Sequence, residues 1–275
     1  MIRQMIQNIQ KGILHMETIN PQEWKKDLPA FKEKTDRFYA GELSKADYKG
    51  FSGGYGSYAQ KDGKASMIRL RMAGGHLTKD KLKFIADSIK TYNVDKVHLT
   101  TCQAIQLHNL QPEAIYGIME GGLDHGIVTM GGGGDFPRNV TVSPLSGVQK
   151  GEYFNVLPYA EAAGEYLMTF IKKEVMPRKL KVGFSNGPAN ETHATFRDLG
   201  FVARKDGNFD VYSAGGLGNN ARFGLKVAEN VKPEKILYYI CAMRETFIAH
   251  GNYKQRGRAR TRYMQETLGE EGYIK

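Results

Sequence analysis

Cysteine is nearly absent: the 275 residues hold two, Cys102 and Cys241. Two thiols cannot make a disulfide framework, nor the four-thiolate set of a structural zinc or an iron–sulfur cluster. Tryptophan occurs once, at Trp24, and is expected to be buried against the domain that follows it. No apolar run approaches the roughly 20 residues that span a bilayer. Met1–Gly12 is too polar for the apolar segment of a secretion signal, so a cytoplasmic location is expected. Acidic side chains are in deficit, 29 against 39 Lys and Arg, which leaves a net charge of +10. That surplus points to an anionic partner: nucleic acid, a membrane surface or a polyanionic cofactor. A composition of 41% hydrophobic and 25% charged residues is that of a globular chain, long enough for one large domain or two modest ones.

What is there is organised around Ser66–Leu110. Alternation through Met67–Met72 puts Ile68, Leu70 and Met72 on one face of a strand and Arg69 and Arg71 on the other. Gly74-Gly75 ends the strand and Thr78 can cap the helix that follows, in which Leu82, Ile85, Ala86 and Ile89 recur at helical spacing. Strands are expected near Val94–Thr100 and Gln103–His108, giving the order strand, helix, strand, strand. The apolar sheet face packs the helix; the other carries Arg69, Arg71, His98, Thr100, Gln106 and His108. With no acidic residue in the arginine strand, that face suits either an anion or plain solvation.

Upstream, residues 1–50 read as helical: an amphipathic stripe in Met1–Leu14, then a helix opened by Pro21. Phe51–Tyr58 reads as a flexible glycine-rich loop without the lysine and spacing of a P-loop. Downstream, Pro112 starts a helix expected to end at Gly121-Gly122. The four glycines after Met130 are followed by Pro137 and Arg138 rather than a helix, which excludes a dinucleotide fingerprint. A helix is expected around Tyr159–Lys173. A strand then places Lys179 and Lys181 on one side and Leu180, Val182 and Phe184 on the other. Further helices are expected at Ala221–Val231, Pro233–His250 and Arg258–Leu268. The basic run from Lys254 to Arg262 could by itself contact nucleic acid, although stacking aromatics and a nucleic-acid motif are missing.

Several of these stretches resemble one family in order. Arg69-Leu-Arg-Met-Ala-Gly-Gly, followed by Leu99-Thr-Thr-Cys-Gln-Ala-Ile-Gln-Leu-His, resembles the ferredoxin-like half-domain of the sirohaem-dependent nitrite and sulfite reductases. Gly134-Asp-x-x-Arg-Asn-Val-Thr, Pro177-Arg-Lys-Leu-Lys, Arg197-Asp-Leu-Gly-Phe-Val-Ala, Tyr212-Ser-Ala-Gly-Gly-Leu-Gly and the arginine-rich run continue the likeness over nearly all of the chain from about residue 50. The resemblance implies an α+β fold: an N-terminal helical extension at 1–50, a ferredoxin-like half-domain at 51–125, and a mixed α/β reductase domain, first copy, at 126–275, with the active site at their junction.

The implied activity is six-electron reduction of a small anion, sulfite to sulfide or nitrite to ammonia. Such a site must hold the anion, offset its charge and deliver protons. Arginine supplies fixed donors, and a crowded lysine can give up a proton. By resemblance these roles fall to Arg71, Arg138, Lys179 and Lys181, and a lysine at 181 favours sulfite. Candidates for holding sirohaem, whose carboxylates would use the surplus basic charge, are Arg69, Thr100, Thr101, Gln103, Gln106, His108 and Asn139. An electron donor such as ferredoxin or a flavoprotein is implied, and no membrane or nucleic-acid partner is expected.

The chain departs from the family in two ways. Cys102, expected to be a small buried residue, stands where members usually carry an arginine that helps anchor sirohaem. The family repeats its module and places the four cluster cysteines in the second copy, so a 4Fe–4S cluster is expected but its ligands are missing here. A second module in cis or in trans would have to complete the enzyme. The competing readings are a non-catalytic tetrapyrrole-binding paralogue and a basic nucleic-acid-binding protein.

Overall fold

The computed structural model describes residues 20–171 and 173–275. The expected helix at Met1–Leu14 lies outside them. The described chain divides into two compact units, Ile19–Gly134 and Asp135–Lys275. Both mix helices with sheet, as the α+β expectation requires.

In the first unit, Asn20 accepts a hydrogen bond from Gln22 N and opens a 3-10 turn over Pro21–Asp27, which runs into α1 (Leu28–Tyr39). Trp24 is buried here, as expected. Ser44 caps α2 (Lys45–Ser52), and Thr78 caps α3 (Lys79–Thr91) by accepting from Lys81 N. Strands β1 (Ser57–Ala59), β2 (Ser66–Leu70), β3 (Val97–Leu99) and β4 (Ile105–Leu110) form an antiparallel sheet in the order β1-β2-β4-β3. Helix α4 (Pro112–Asp124) packs on α1 and β2. The core holds Phe31, Ile68, Leu70, Leu107 and Ile115, each under 2% exposed.

Two glycine expectations are corrected. The stretch Phe51–Tyr58 is not a loop: α2 continues to Ser52, a 3-10 turn spans Gly53–Tyr55, and β1 begins at Ser57. Nor do Gly121-Gly122 end α4. A Cβ on Gly121 would lie 2.9 Å from the Phe84 ring, so that glycine lets α3 approach closely and the helix continues to Asp124.

The second unit is built on a five-stranded mixed sheet, order β5-β6-β7-β8-β9. Strands β5 (Thr141–Val142), β6 (Val182–Ser185) and β7 (Leu199–Ala203) pair in parallel; β7, β8 (Phe209–Ser213) and β9 (Leu225–Val231) pair antiparallel. Every residue of β6 is buried, as suits an interior parallel strand. Phe184 and Phe201 stack at 4.6 Å and Phe209 meets both edge-on. Helices α5 (Leu157–Met168) and α6 (Ile236–His250) pack on each other, and α5 also packs on β6. Short helices α7 (Met264–Leu268) and α8 (Glu270–Ile274) follow.

The helix expected at Ala221–Val231 is therefore strand β9. Lys, Ala and Glu favour a helix in isolation, but pairing of Ala228 with Val211 and Lys226 with Tyr212 overrides that preference. The helix expected at Arg258–Leu268 is two 3-10 turns, Arg256–Arg258 and Thr261–Tyr263, ahead of α7. Its arginines are drawn to separate partners, described below, which a single helical stripe could not serve.

Candidate functional site

Each unit carries one group of the expected residues. In the first, the register of β2, β4 and β3 sets Arg69 opposite Gln106 and Gln106 opposite His98. The amide of Gln106, oriented by its neighbours, accepts from Arg69 Nε (3.0 Å) and Nη2 (2.6 Å) and donates to His98 Nδ1 (3.2 Å). Arg69 Nη1 also donates to the Gly132 carbonyl. His108 lies on the same face, its ring 6.4 Å from that of His98. Burial, then Lys96, His98 and Arg69, hold its pKa below the ordinary histidine value.

Arg71 continues this face beyond the end of β2. It is only 5% exposed, and its Nη1 donates to Met130 O at 2.7 Å while its backbone pairs with Val128. Gln106 is likewise 7% exposed. A solvated face is thus excluded for these two residues. The two arginines hold carbonyls of the segment Met130–Gly132, whose glycines permit close approach. A Cβ on Gly133 would lie 2.0 Å from Tyr58 Oη and 2.3 Å from Gly53 O, and Gly134 N donates to that same hydroxyl at 2.9 Å.

Between β3 and β4 the chain turns tightly. Gln103, at φ 53°, donates its N–H to Thr100 O, and Thr100 Oγ1 accepts from Ala104 N at 3.1 Å. A Cβ on Gly75 (φ 64°) would stand 2.8 Å from Gln103 Cβ, so only glycine allows this approach. Thr101 is exposed at the turn. Cys102 is half-exposed rather than buried, because the turn carries it at the tip between two strands.

The second unit gathers Arg138, Lys179 and Lys181. Pro137 bridges to Leu180 in parallel and Arg138 N donates to Leu180 O at 2.8 Å. Leu180 is fully buried, and the lysines on either side of it are half-buried. The expected alternation holds, although the regular strand starts only at Val182. Asn139, beside Arg138, is 5% exposed. Lys179 is pushed down to about 8 by burial and then by Arg138, Arg260, Lys181 and Arg178. All of these neighbours are cations.

Carboxylates stand one step back from this group. Asp135 accepts from Arg178 Nη1 (3.0 Å) and Arg256 Nη1 (2.7 Å). Burial opposes its ionisation, yet these bonds win and hold its pKa below the usual value. Asp198, wholly buried, accepts from Lys181 N at 2.7 Å, from Arg260 Nη2 at 2.8 and 3.0 Å, and from the Thr261 hydroxyl. Arg258 pairs with Glu266 at 2.6 Å, and Arg262 donates to the carbonyls of Asn219 and Asn220. Arg256, Arg258, Arg260 and Arg262 of the basic run thus each have a partner within their own unit.

The roles of Arg178, Arg260, Asp135 and Asp198 were not assigned from sequence, although all four sit inside the quoted motifs. The spacing of those motifs carried no sign that the carboxylates pair with arginines up to 121 residues away.

Comparison with known proteins follows this geometry. Residues 58–122 match the family described as the nitrite/sulfite reductase ferredoxin-like half domain, and residues 133–275 match the nitrite and sulphite reductase 4Fe-4S domain. An assimilatory ferredoxin-dependent nitrite reductase of Haloferax mediterranei is 31% identical over 238 residues, covering 79% of this chain and 41% of that protein. A sulfite reductase [NADPH] hemoprotein beta-component of Nitrosomonas eutropha is 27% identical over 236 residues, covering 74% and 41%. The chain therefore spans about two fifths of the length of these curated relatives. Among solved structures, Mycobacterium tuberculosis NirA superposes with a TM-score of 0.77 at 21% identity, covering 98% of this chain and 51% of that one. Dissimilatory sulfite reductase I gives a TM-score of 0.63 at 12% identity, covering 99% and 85%. Both support the fold. With its 4Fe-4S domain signature covering residues 133–275, this chain belongs to the nitrite and sulfite reductase family.

Proposed function

We propose that this chain is the N-terminal half of a sirohaem and iron–sulfur reductase for sulfite or nitrite, with Arg71, Arg138, Lys179 and Lys181 acting on the anion. The observation that carries the reading is the all-cationic surrounding of Lys179, whose amine is pushed down to about 8. A lysine poised there holds its proton at neutral pH yet can release it, while Arg138 and Arg178 keep their charge throughout. The cluster thus offers fixed charge for an oxyanion beside a proton source for a departing oxygen. Lys181 supports sulfite as the favoured substrate. The natural setting is the cytoplasm, with ferredoxin or a flavoprotein as electron donor.

The donors of the first unit suit a carboxylate-bearing tetrapyrrole. Arg69, Gln106 and His108 share a sheet face with no carboxylate among them, and Thr100, Thr101 and Gln103 supply polar groups at the adjoining turn. Asn139 is the corresponding candidate in the second unit. Sirohaem held by such groups would supply the iron at which electrons reach the anion. The iron–sulfur cluster does not fit this chain alone. Its two cysteines lie in different units, and among the described residues no three His, Cys, Asp or Glu side chains gather as a metal site. The cluster ligands would come from a second module, in cis or in trans.

An anaerobic visible spectrum with iron analysis, on protein from its native host, tests this. Sirohaem bands with about five irons per active unit are expected, one from the haem and four from the cluster. Sirohaem bands with a single iron would support a tetrapyrrole-binding module instead. Protein that stays colourless after sirohaem is added would refute the catalytic reading.

A further inference from the structure

We infer that Asp198 is a positioning residue for the anion-binding lysines: its buried carboxylate replaces a missing strand acceptor and so fixes where Lys181, and with it Lys179, presents its ammonium group. The inference deepens the reading of Arg138, Lys179 and Lys181 as the group that acts on sulfite or nitrite, and rests on it.

The hydrogen bonds show the replacement directly. In the parallel pairing of β6 with β7, Val182 lies opposite Leu199, and Leu199 N donates to Lys181 O at 3.2 Å. Continued by one step, that ladder would bring the Arg197 carbonyl to Lys181 N. The Arg197 carbonyl instead accepts from Gly215 N at 2.9 Å, just past the end of β8. Lys181 N turns to the neighbouring side chain and donates to Asp198 Oδ2 at 2.7 Å. The carboxylate is held in turn: Arg260 Nη2 lies 2.8 Å from Oδ2 and 3.0 Å from Oδ1, and the Thr261 hydroxyl donates to Oδ1. With its side chain 0% exposed and these donors around it, Asp198 cannot swing away to water.

The lysine side chains do not anchor themselves. Among the described residues neither ammonium group has a hydrogen-bond or ion-pair partner, although both lysines are half-buried. Their placement therefore rests on the backbone that joins them. Besides the buried side chain of Leu180, that backbone is held by Arg138 N on Leu180 O at 2.8 Å along one edge. Along the other edge it is held by Leu199 N on Lys181 O and by the bond from Lys181 N to Asp198. Only the last of these hydrogen bonds ends on a side chain, so it is the one a substitution can remove. Lys179 and Lys181 lie on the same side of an extended segment, so a rotation at Lys181 carries Lys179 with it.

The test follows the isotope-labelled full chain by NMR while sulfite is added. In the natural protein the Lys181 amide proton should lie downfield, as a donor to a carboxylate does, and should resist exchange with solvent. Sulfite should shift the side-chain signals of both lysines. Asp198→Ala should move the Lys181 amide upfield and weaken sulfite binding about tenfold. Asp198→Asn keeps an acceptor for Lys181 N and should hold the affinity within about threefold. Thr261→Val removes only a donor to Oδ1 and should leave both readouts unchanged. Equal weakening in all three variants would mark a general loss of packing and overturn the inference. An Asp198→Ala chain that loses the amide bond yet binds sulfite like the natural one overturns it too, and spares the anion site. Lysine signals that respond to Asp198→Ala but not to sulfite keep the positioning and sink the anion site. Should Asp198→Ala fail to fold, a natural-chain Lys181 amide that exchanges like an exposed one overturns the inference. A protected amide, with sulfite binding kept in Asp198→Asn, supports it.

Discussion

Replacing Lys179 with methionine should stabilise this protein at neutral pH. Methionine keeps the length of the chain and removes the charge that burial and four cations disfavour. Each tenfold change in proton affinity is worth about 1.4 kcal/mol, so a fall from 10.5 to about 8 bounds the penalty on the charged form at about 3.4 kcal/mol. Solvent screening of a half-buried amine reduces this to about 2 kcal/mol. The sign follows from proton counting. Between about pH 8 and 10.5 the unfolded lysine keeps a proton that the folded one has released, so the natural chain gains stability as pH rises through that window. Below it the full penalty applies. Urea unfolding followed by far-UV circular dichroism should therefore show Lys179→Met more stable by about 2 kcal/mol at pH 7, with the gap closing by pH 10.5. A gap independent of pH, or a variant less stable at pH 7, would refute the account of the cationic cluster. Sulfite affinity should fall in the same variant, separating function from stability.

Other expectations test the surrounding structure. His108 should titrate below 6.5 in an NMR series; its contribution is present above that value and lost as pH falls through the folded midpoint, and a midpoint above 6.5 would contradict the crowding described. Gly133→Ala should cost at least about 2 kcal/mol, because the added carbon meets both Tyr58 and the Gly53 carbonyl. Gly63→Ala is the contrasting case, in which φ is +73° but the space is open, so a cost of about 1 kcal/mol from backbone strain alone is expected, and equal melting shifts would rule out the steric argument. Asp135→Asn should lose about 1 kcal/mol at pH 7 by releasing Arg178 and Arg256. That deficit should vanish as pH falls through the folded carboxyl's midpoint; one that persists in strong acid would assign the loss to packing instead.

Much of the first unit was legible in its sequence. Thr78 announced a cap, the alternation of Ile68 and Leu70 against Arg69 announced a two-faced strand, and the helix of Leu82–Ile89 announced its own period. Where reading by residue type failed, tertiary contacts had decided the matter. Leu225–Val231 has helix-favouring residues but gains partners along β8. Gly121 resembles a stop until the Phe84 ring is placed against it. The candidate site divided in the same way: Arg138, Lys179 and Lys181 were visible in local motifs. The carboxylates that organise the cations were not, since Asp198 meets Arg260 across 62 residues and Asp135 meets Arg256 across 121. No local pattern encodes such pairs.

Those long spans also set the order of assembly. The sheet of the second unit is synthesised before the segment that supplies Arg256, Arg260 and Thr261, so Asp198 must wait without its donors until residues 256–261 emerge. Contacts of such high sequence separation form late and slow folding. During synthesis the unit should therefore persist as a partly packed intermediate, vulnerable to proteolysis and association, and close only when the arginine segment latches onto its two carboxylates.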